Sequence, residues 1–276
     1  MGWGLTAALV ASLCYGVASV LQAIGARRVA RGAGVDPRLL VRVLSSLPFV
    51  GGTALDLCGL VFNLYALRTL TLFTVQAVVN TNLAVTALVA VVLLRARLTA
   101  QDKAAVVAVV CGLVLLGLSA GPEGTGAVGE HGRFVLLGAA VLLAGAALAV
   151  GNLHRGAHPA LLGSLAGFLF GLFGISVRVL PSLDLARLAG DPATYAALIS
   201  SITGFLFFTS ALQRGSVTAA TAALVVGETT IPALVGLTLL GDSTRSGFVP
   251  VGVAGFVLAV GGALALSKYA EPADVR

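Results

Sequence analysis

Charge is scarce in this chain. Asp, Glu, Lys and Arg supply 10% of its 276 residues, against about 25% in soluble domains, which leaves too little polar surface to clothe a water-soluble globule. Cysteine is thin as well. Cys14, Cys58 and Cys111 each lie inside an apolar stretch, with no CxxC pair and no Cys/His cluster. That excludes a disulfide framework and a zinc site and leaves small packing residues. The catalytic signatures GxSxG, HExxH and GxxxxGK[ST] are missing, and the histidines stand away from the membrane-depth acids described below. No enzyme and no cofactor is therefore expected. A cleavable leader is not expected either, because the first basic residues follow the first apolar run instead of preceding it.

What is abundant is apolar residues in long blocks. They make up 58% of the chain and show neither the alternation nor the stripes of a soluble fold. About 20 residues at roughly 1.5 Å each cross the hydrocarbon of a bilayer. Nine runs are read as spans: 3–24, 43–67, 71–94, 104–120, 134–153, 160–180, 195–212, 216–240 and 248–266. The second, which starts with Pro48 and a Gly51-Gly52 pair, reads together with its flanks as a candidate broken helix. The Gly-rich segment 121–133 reads as a solvent loop, and 181–192 as a connection holding a short interfacial turn. The net charge of +6 sits in short loops between spans, which is a topology signal and not a nucleic-acid footprint. With the N-terminus outside, twelve Lys and Arg fall on the inner side and five on the outer. The positive-inside rule then places the C-terminus in the cytoplasm, and the plasma membrane is the expected location.

One ionisable residue interrupts the eighth run near its midpoint, Glu228. A carboxylate at that depth costs at least about 2.5 kcal/mol, so something must offset it. Thr221, Glu228 and Pro232 share a helical face at spacings of seven and four, and Pro232 cannot donate to the carbonyl of Glu228. A carboxylate beside a freed carbonyl suits a cation, an amine or a coupling proton. On the second run, Gly52, Asp56, Gly59 and Asn63 form a comparable small-and-polar stripe. Gln76 and Asn80, four apart on the third run, line the same cavity or serve as interhelical hydrogen-bond glue worth about 0.6 kcal/mol. As structure alone, each acid is held by a hydrogen bond to a neighbouring helix. Asn82 lies on another face, Gln22 reads as interfacial, and Arg178 is expected to snorkel to the outer surface. His154 and His158 sit in a basic loop without a third ligand, so no metal site is expected there. Gly163, Gly167 and Gly171 form a ridge for close helix packing, either within the bundle or across a homodimer.

The halves resemble each other. GLVFNLYALRTLTLFTVQA (59–77) aligns without gaps on GFLFFTSALQRGSVTAATA (204–222), TALVAVVLL (86–94) on PALVGLTLL (232–240), and LCYG (13–16) on FLFG (168–171). Spans one to four thus repeat as six to nine with span five as linker, so the second copy enters the membrane from the opposite side. Inverted repeats of this kind place a site at the midplane and expose it alternately. The order of spans, the Ala66-Leu67 and Ala211-Leu212 turns and the helices ending in LLR and LLGD are similar to those of the drug/metabolite transporter (EamA-like) superfamily. Nine spans, an acid in span two (Asp56, with Gly59 and Asn63) and the Arg27-Arg28 pair resemble its NIPA-like magnesium-transporter branch most. The acid that closes the helix after the LL pair is Ala96 in the first copy and Asp242 in the second, and the early proline of the third span is absent.

The expected architecture is an all-α membrane protein of nine transmembrane helices. Residues 1–120 form the first repeat, 121–157 the outer loop and linker span, 158–268 the second repeat and 269–276 a cytoplasmic tail. The expected function is transport of a small solute or cation through a central cavity at Glu228 and Asp56, lined by Asn63, Gln76, Asn80 and Thr221. The resemblance implies a divalent-cation version. The third reading is a membrane scaffold or partner subunit that transports nothing.

Overall fold

A computed structural model of the chain describes residues 2–29, 35–70, 75, 78–95, 99–121, 128–153, 158–180 and 185–269. Every regular element among them is a helix. In chain order they are α1 (Gly2–Arg27), α2 (Arg38–Val43), α3 (Leu47–Thr69), α4 (Asn82–Leu93), α5 (Ala100–Ser119) and α6 (Glu130–Leu153). Then follow α7 (Pro159–Arg178), α8 (Leu185–Gly190), α9 (Pro192–Arg214), α10 (Val217–Val235, continued by a π turn over Gly236–Leu240) and α11 (Val249–Tyr269). Eight of them, all but α2, α4 and α8, are long and apolar enough to cross a membrane. Large apolar side chains such as Leu57, Val61, Leu142 and Leu239 are more than half exposed on these helices. Against lipid that exposure carries no penalty, whereas a soluble protein keeps such patches small.

Local chemistry sets the helix ends. Pro48, Pro159 and Pro192 stand in the first turns of α3, α7 and α9, where a missing N–H costs nothing. Ser216 and Asp191 cap α10 and α9 by accepting from the amides of Ala219 and Ala193. Thr99 and Asp102 make a reciprocal capping box at α5. His158 caps α7, its Nδ1 accepting from the Ala160 amide, while His154 lies outside the described residues. The loop expected over 121–133 ends sooner, because α6 already starts at Glu130, an acid that suits the positive end of a helix dipole.

The break expected in the second run with its flanks lies at its start, where α2 ends at Val43 and α3 begins at Leu47, and the third run is interrupted as well. From Leu47 onward α3 is continuous. By contrast α4 has 12 residues, about 18 Å of helix against about 30 Å of hydrocarbon. Ahead of it Val78 and Val79 are helical and Asn80 and Thr81 form a turn. The Thr81 amide donates to Val78 O at 3.1 Å, and the Ala84 amide to Thr81 O at 2.9 Å. The Ser12 and Thr81 hydroxyls pair at 2.9 Å, tying the turn to α1. The Thr81 hydroxyl also donates to Val78 O at 2.6 Å, local chemistry that an apolar-run count cannot register.

α5 and α11 form a spine in which main chain meets main chain. A Cβ on Gly112 would strike Ala259 N and Gly255 O, one on Gly255 would strike Gly112 O, and one on Gly262 would strike Ala105 O. α1 with α3 and α4 makes one side of the bundle and α7 with α9 and α10 the other; the α5–α11 pair stands against α4 and α10. The ends of the bundle, named here for the ends of α1, are not alike. At the Arg27 end one buried cluster joins both sides: Val20, Ala23 and Phe49 lie with Phe207, Leu212 and Ala220. At the Gly2 end the clusters are separate. Ala7, Ala11, Ala66 and Val79 make one, and Leu172, Ile175, Val179 and Ala196 another.

Candidate functional site

Glu228 sits near the middle of the membrane-length segment formed by α10 and its π turn. Its backbone is braced by the glycine ridge of α7. A Cβ on Gly167 would strike Leu224 O, Gly227 Cα and Glu228 N, and one on Gly171 would lie 3.5 Å from Glu228 Cα. Gly163 meets Ala220 O in the same way. Of the two uses expected for this ridge, packing within the bundle is seen: Gly163, Gly167 and Gly171 are buried against α10.

Asp56 projects from α3, the spanning helix with the fewest buried positions. Gln22 on α1 donates from Nε2 to Asp56 Oδ2 at 2.5 Å, and Gln22 is 1% exposed. The interfacial placement expected for Gln22 is thus corrected: the stripe of small residues on α3 draws α1 close enough to bury it. Gly52 touches Ala18 O and Gln22, and a Cβ on Gly59 would lie 2.9 Å from the ring of Tyr15. The Tyr15 hydroxyl stands beside the Asn63 side chain and within Coulombic reach of Asp56 and Glu228, and those two acids reach each other.

The structure therefore gathers Asp56, Asn63 and Glu228 and adds Gln22 and Tyr15. Both additions lie on α1 seven residues apart, on one helical face, and that spacing is the signal the sequence holds for them. Thr221 lies two turns along α10 from Glu228, 3% exposed, with an unpaired buried hydroxyl. Asn63 and Asn82 also hold buried carbonyl oxygens without a partner. Asn80 occupies the turn before α4. Gln76 lies outside the described residues.

The acids at this level have no basic partner among the described residues. The ion pairs stand at helix ends: Arg42 with Asp36, Arg133 with Asp191 and Arg178 with Asp242. The central oxygens thus form an acceptor-rich level suited to a cation or to N–H donors. Among the described residues no group of three or more His, Cys, Asp or Glu is placed to hold a metal. A separate hollow of about 280 Å³ between α7, α10 and α11 is walled by apolar and small residues such as Phe168, Ala223 and Phe256 and includes neither acid.

Arg178 does not snorkel alone. It forks onto Asp242, Nη1 to Oδ2 at 2.7 Å and Nη2 to Oδ1 at 2.6 Å, and Gly236 leaves the space that the carboxylate occupies. The two side chains are 28% and 21% exposed, so the penalty for leaving one unpaired is well below that of a sealed pair. Replacing Arg178 by Met is expected to cost about 1–2 kcal/mol of stability. Thermal unfolding in detergent measures this, and adding Asp242→Asn should restore much of the loss.

No family model, no curated protein and no solved structure matches the chain.

Proposed function

We propose that this is an integral membrane transporter that moves a small solute or cation by alternating access, with Glu228 and Asp56 at its central site. The observation that carries the reading is that each half of the chain places an acid well inside a spanning helix, Asp56 on α3 and Glu228 on α10. Gln22 bonds Asp56, and neither acid has an ion pair among the described residues. Each carries a desolvation cost at bilayer depth, and a passing cation offsets it. The resemblance to the drug/metabolite transporter superfamily supports the same conclusion.

The helix pairing favours two inverted four-span repeats. α1 lies on α3 and α4 as α7 lies on α9 and α10, and α5 pairs with α11. On this reading the third of nine spans is interrupted at Asn80–Thr81, as helices that border substrate sites commonly are. The N-terminus is outside, so the Arg27 end is cytoplasmic.

Uptake by proteoliposomes of a panel of inorganic cations, protonated amines and neutral solutes tests this. Asp56→Asn is expected to lower uptake of the transported solute about tenfold, the worth of one charge-assisted hydrogen bond. Retention of full uptake would remove Asp56 from the site. Magnesium is a second reading, since that ion keeps most of its waters and binds through one or two carboxylates, which Asp56 and Glu228 supply. If nothing on the panel moves, the scaffold reading takes precedence.

A further inference from the structure

The cytoplasmic ends of α1 and α9 hold each other by a reciprocal arrangement. Both helices run from the Gly2 end to the Arg27 end, so their C-termini lie side by side with carbonyls that no helical amide can satisfy. Arg27, at the end of α1, donates from Nε to Leu212 O at 3.2 Å and from Nη2 to Gly215 O, carbonyls in the last turn of α9 and just past its end. Gln213, at the end of α9, donates from Nε2 to Ala26 O at 3.0 Å and to Val29 O at 2.8 Å, carbonyls at and just past the end of α1. Each helix is thus capped by a side chain of the other. The guanidinium also offsets two negative dipole ends that would otherwise repel. Directly beneath, Phe49 of α3 meets Phe205 of α9 edge to face, with centroids 5.7 Å apart.

We propose that this reciprocal cap, with the Phe49–Phe205 contact, is the latch that seals the central site from the Arg27 end, in a conformation whose other end is parted. Two further observations point the same way. At the Arg27 end the buried cluster contains residues of α1, α3, α7, α9 and α10 together. At the Gly2 end no buried cluster among the described residues joins α1 or α3 to α7 or α9. The latch is well suited to reversal. Its bonds end on carbonyls at helix ends, and water takes them over when the helices separate. Alternating access needs two states close in free energy, and a bistable contact of this kind can bias their ratio. The inference rests on the transport reading for its purpose, but its geometry can be tested without a substrate.

Spin-label pairs on a background with Cys14, Cys58 and Cys111 replaced by Ala, in liposomes, read both ends. The pair 28/158 reports the Arg27 end and the pair 5/198 the Gly2 end, all four being exposed positions. With the parent sequence the 28/158 distance should be mainly short. Arg27→Ala with Gln213→Ala should raise the population with a long 28/158 distance and a short 5/198 distance about tenfold, and Arg27→Lys should produce a smaller shift. If the double variant does not fold, Gln213→Met, close in volume, carries the test with a shift of the same sign. Unchanged distances in a folded variant overturn the latch, even where uptake is measured. A shift in distances without uptake of any solute sustains the latch and rejects the transport reading instead.

Discussion

Glu228→Gln is expected to abolish uptake to within about one hundredth of the parent rate while leaving the protein as stable as before, or more so. The two side chains are nearly the same size, so the seam with Gly167 and Gly171 is undisturbed. What changes is charge. Removing a charge from bilayer depth relieves at least about 2.5 kcal/mol, and an acid that is merely tolerated in the bundle should leave uptake at the parent level. A site residue should separate the two measurements: unfolding temperature level or up, uptake down. A hundredfold loss corresponds to about 2.7 kcal/mol of lost interaction with the moving species. Because glutamine does not titrate, any uptake that remains should also lose the part of its pH profile contributed by the carboxylate. Proteoliposome rates and pH profiles that match the parent would remove Glu228 from the mechanism.

The largest effect on stability is expected at Gly167. Its added Cβ in Gly167→Val would meet Leu224 O, Gly227 Cα and Glu228 N. These are main-chain atoms of a helix and cannot turn aside as a flexible side chain can. α7 must then move away from α10, at a cost of about 3 kcal/mol, the upper part of the range for overpacked cores. Gly174, further along the same helix, is the control. It has nothing within 4 Å of an added Cβ, and Gly174→Ala should be neutral or stabilise by about 0.5–1 kcal/mol through helix propensity. Thermal unfolding in detergent and the yield of monodisperse protein measure both. Equal behaviour of the two variants would mean that the ridge is not the seam between α7 and α10.

Much of this arrangement is legible in the residues alone. Eight of the nine apolar runs correspond to helices of spanning length, because the length of a run and the thickness of hydrocarbon are both simple distances. Glu228 and Asp56 stand out for the same reason: a charge inside a long apolar run is costly wherever the helix packs. Partners are another matter. A helical wheel shows which residues share a face and says nothing of which helix lies opposite. Position along the run therefore makes Gln22 interfacial, whereas it is buried on Asp56, and makes Arg178 a lone snorkelling cation, whereas it forks onto Asp242. The interruption at Asn80–Thr81 is hidden by the apolar residues around it, since hydropathy averages over the few residues that make a turn.

The glycine-to-backbone spine of α5 and α11 has a practical consequence. Contacts that are main chain on main chain along most of two helices leave little room for sliding, so this pair should behave as a fixed post while other helices tilt around it. A probe attached to its outward side would serve as a stationary fiducial. Displacements measured from that mark would show which helices travel and which stay at rest.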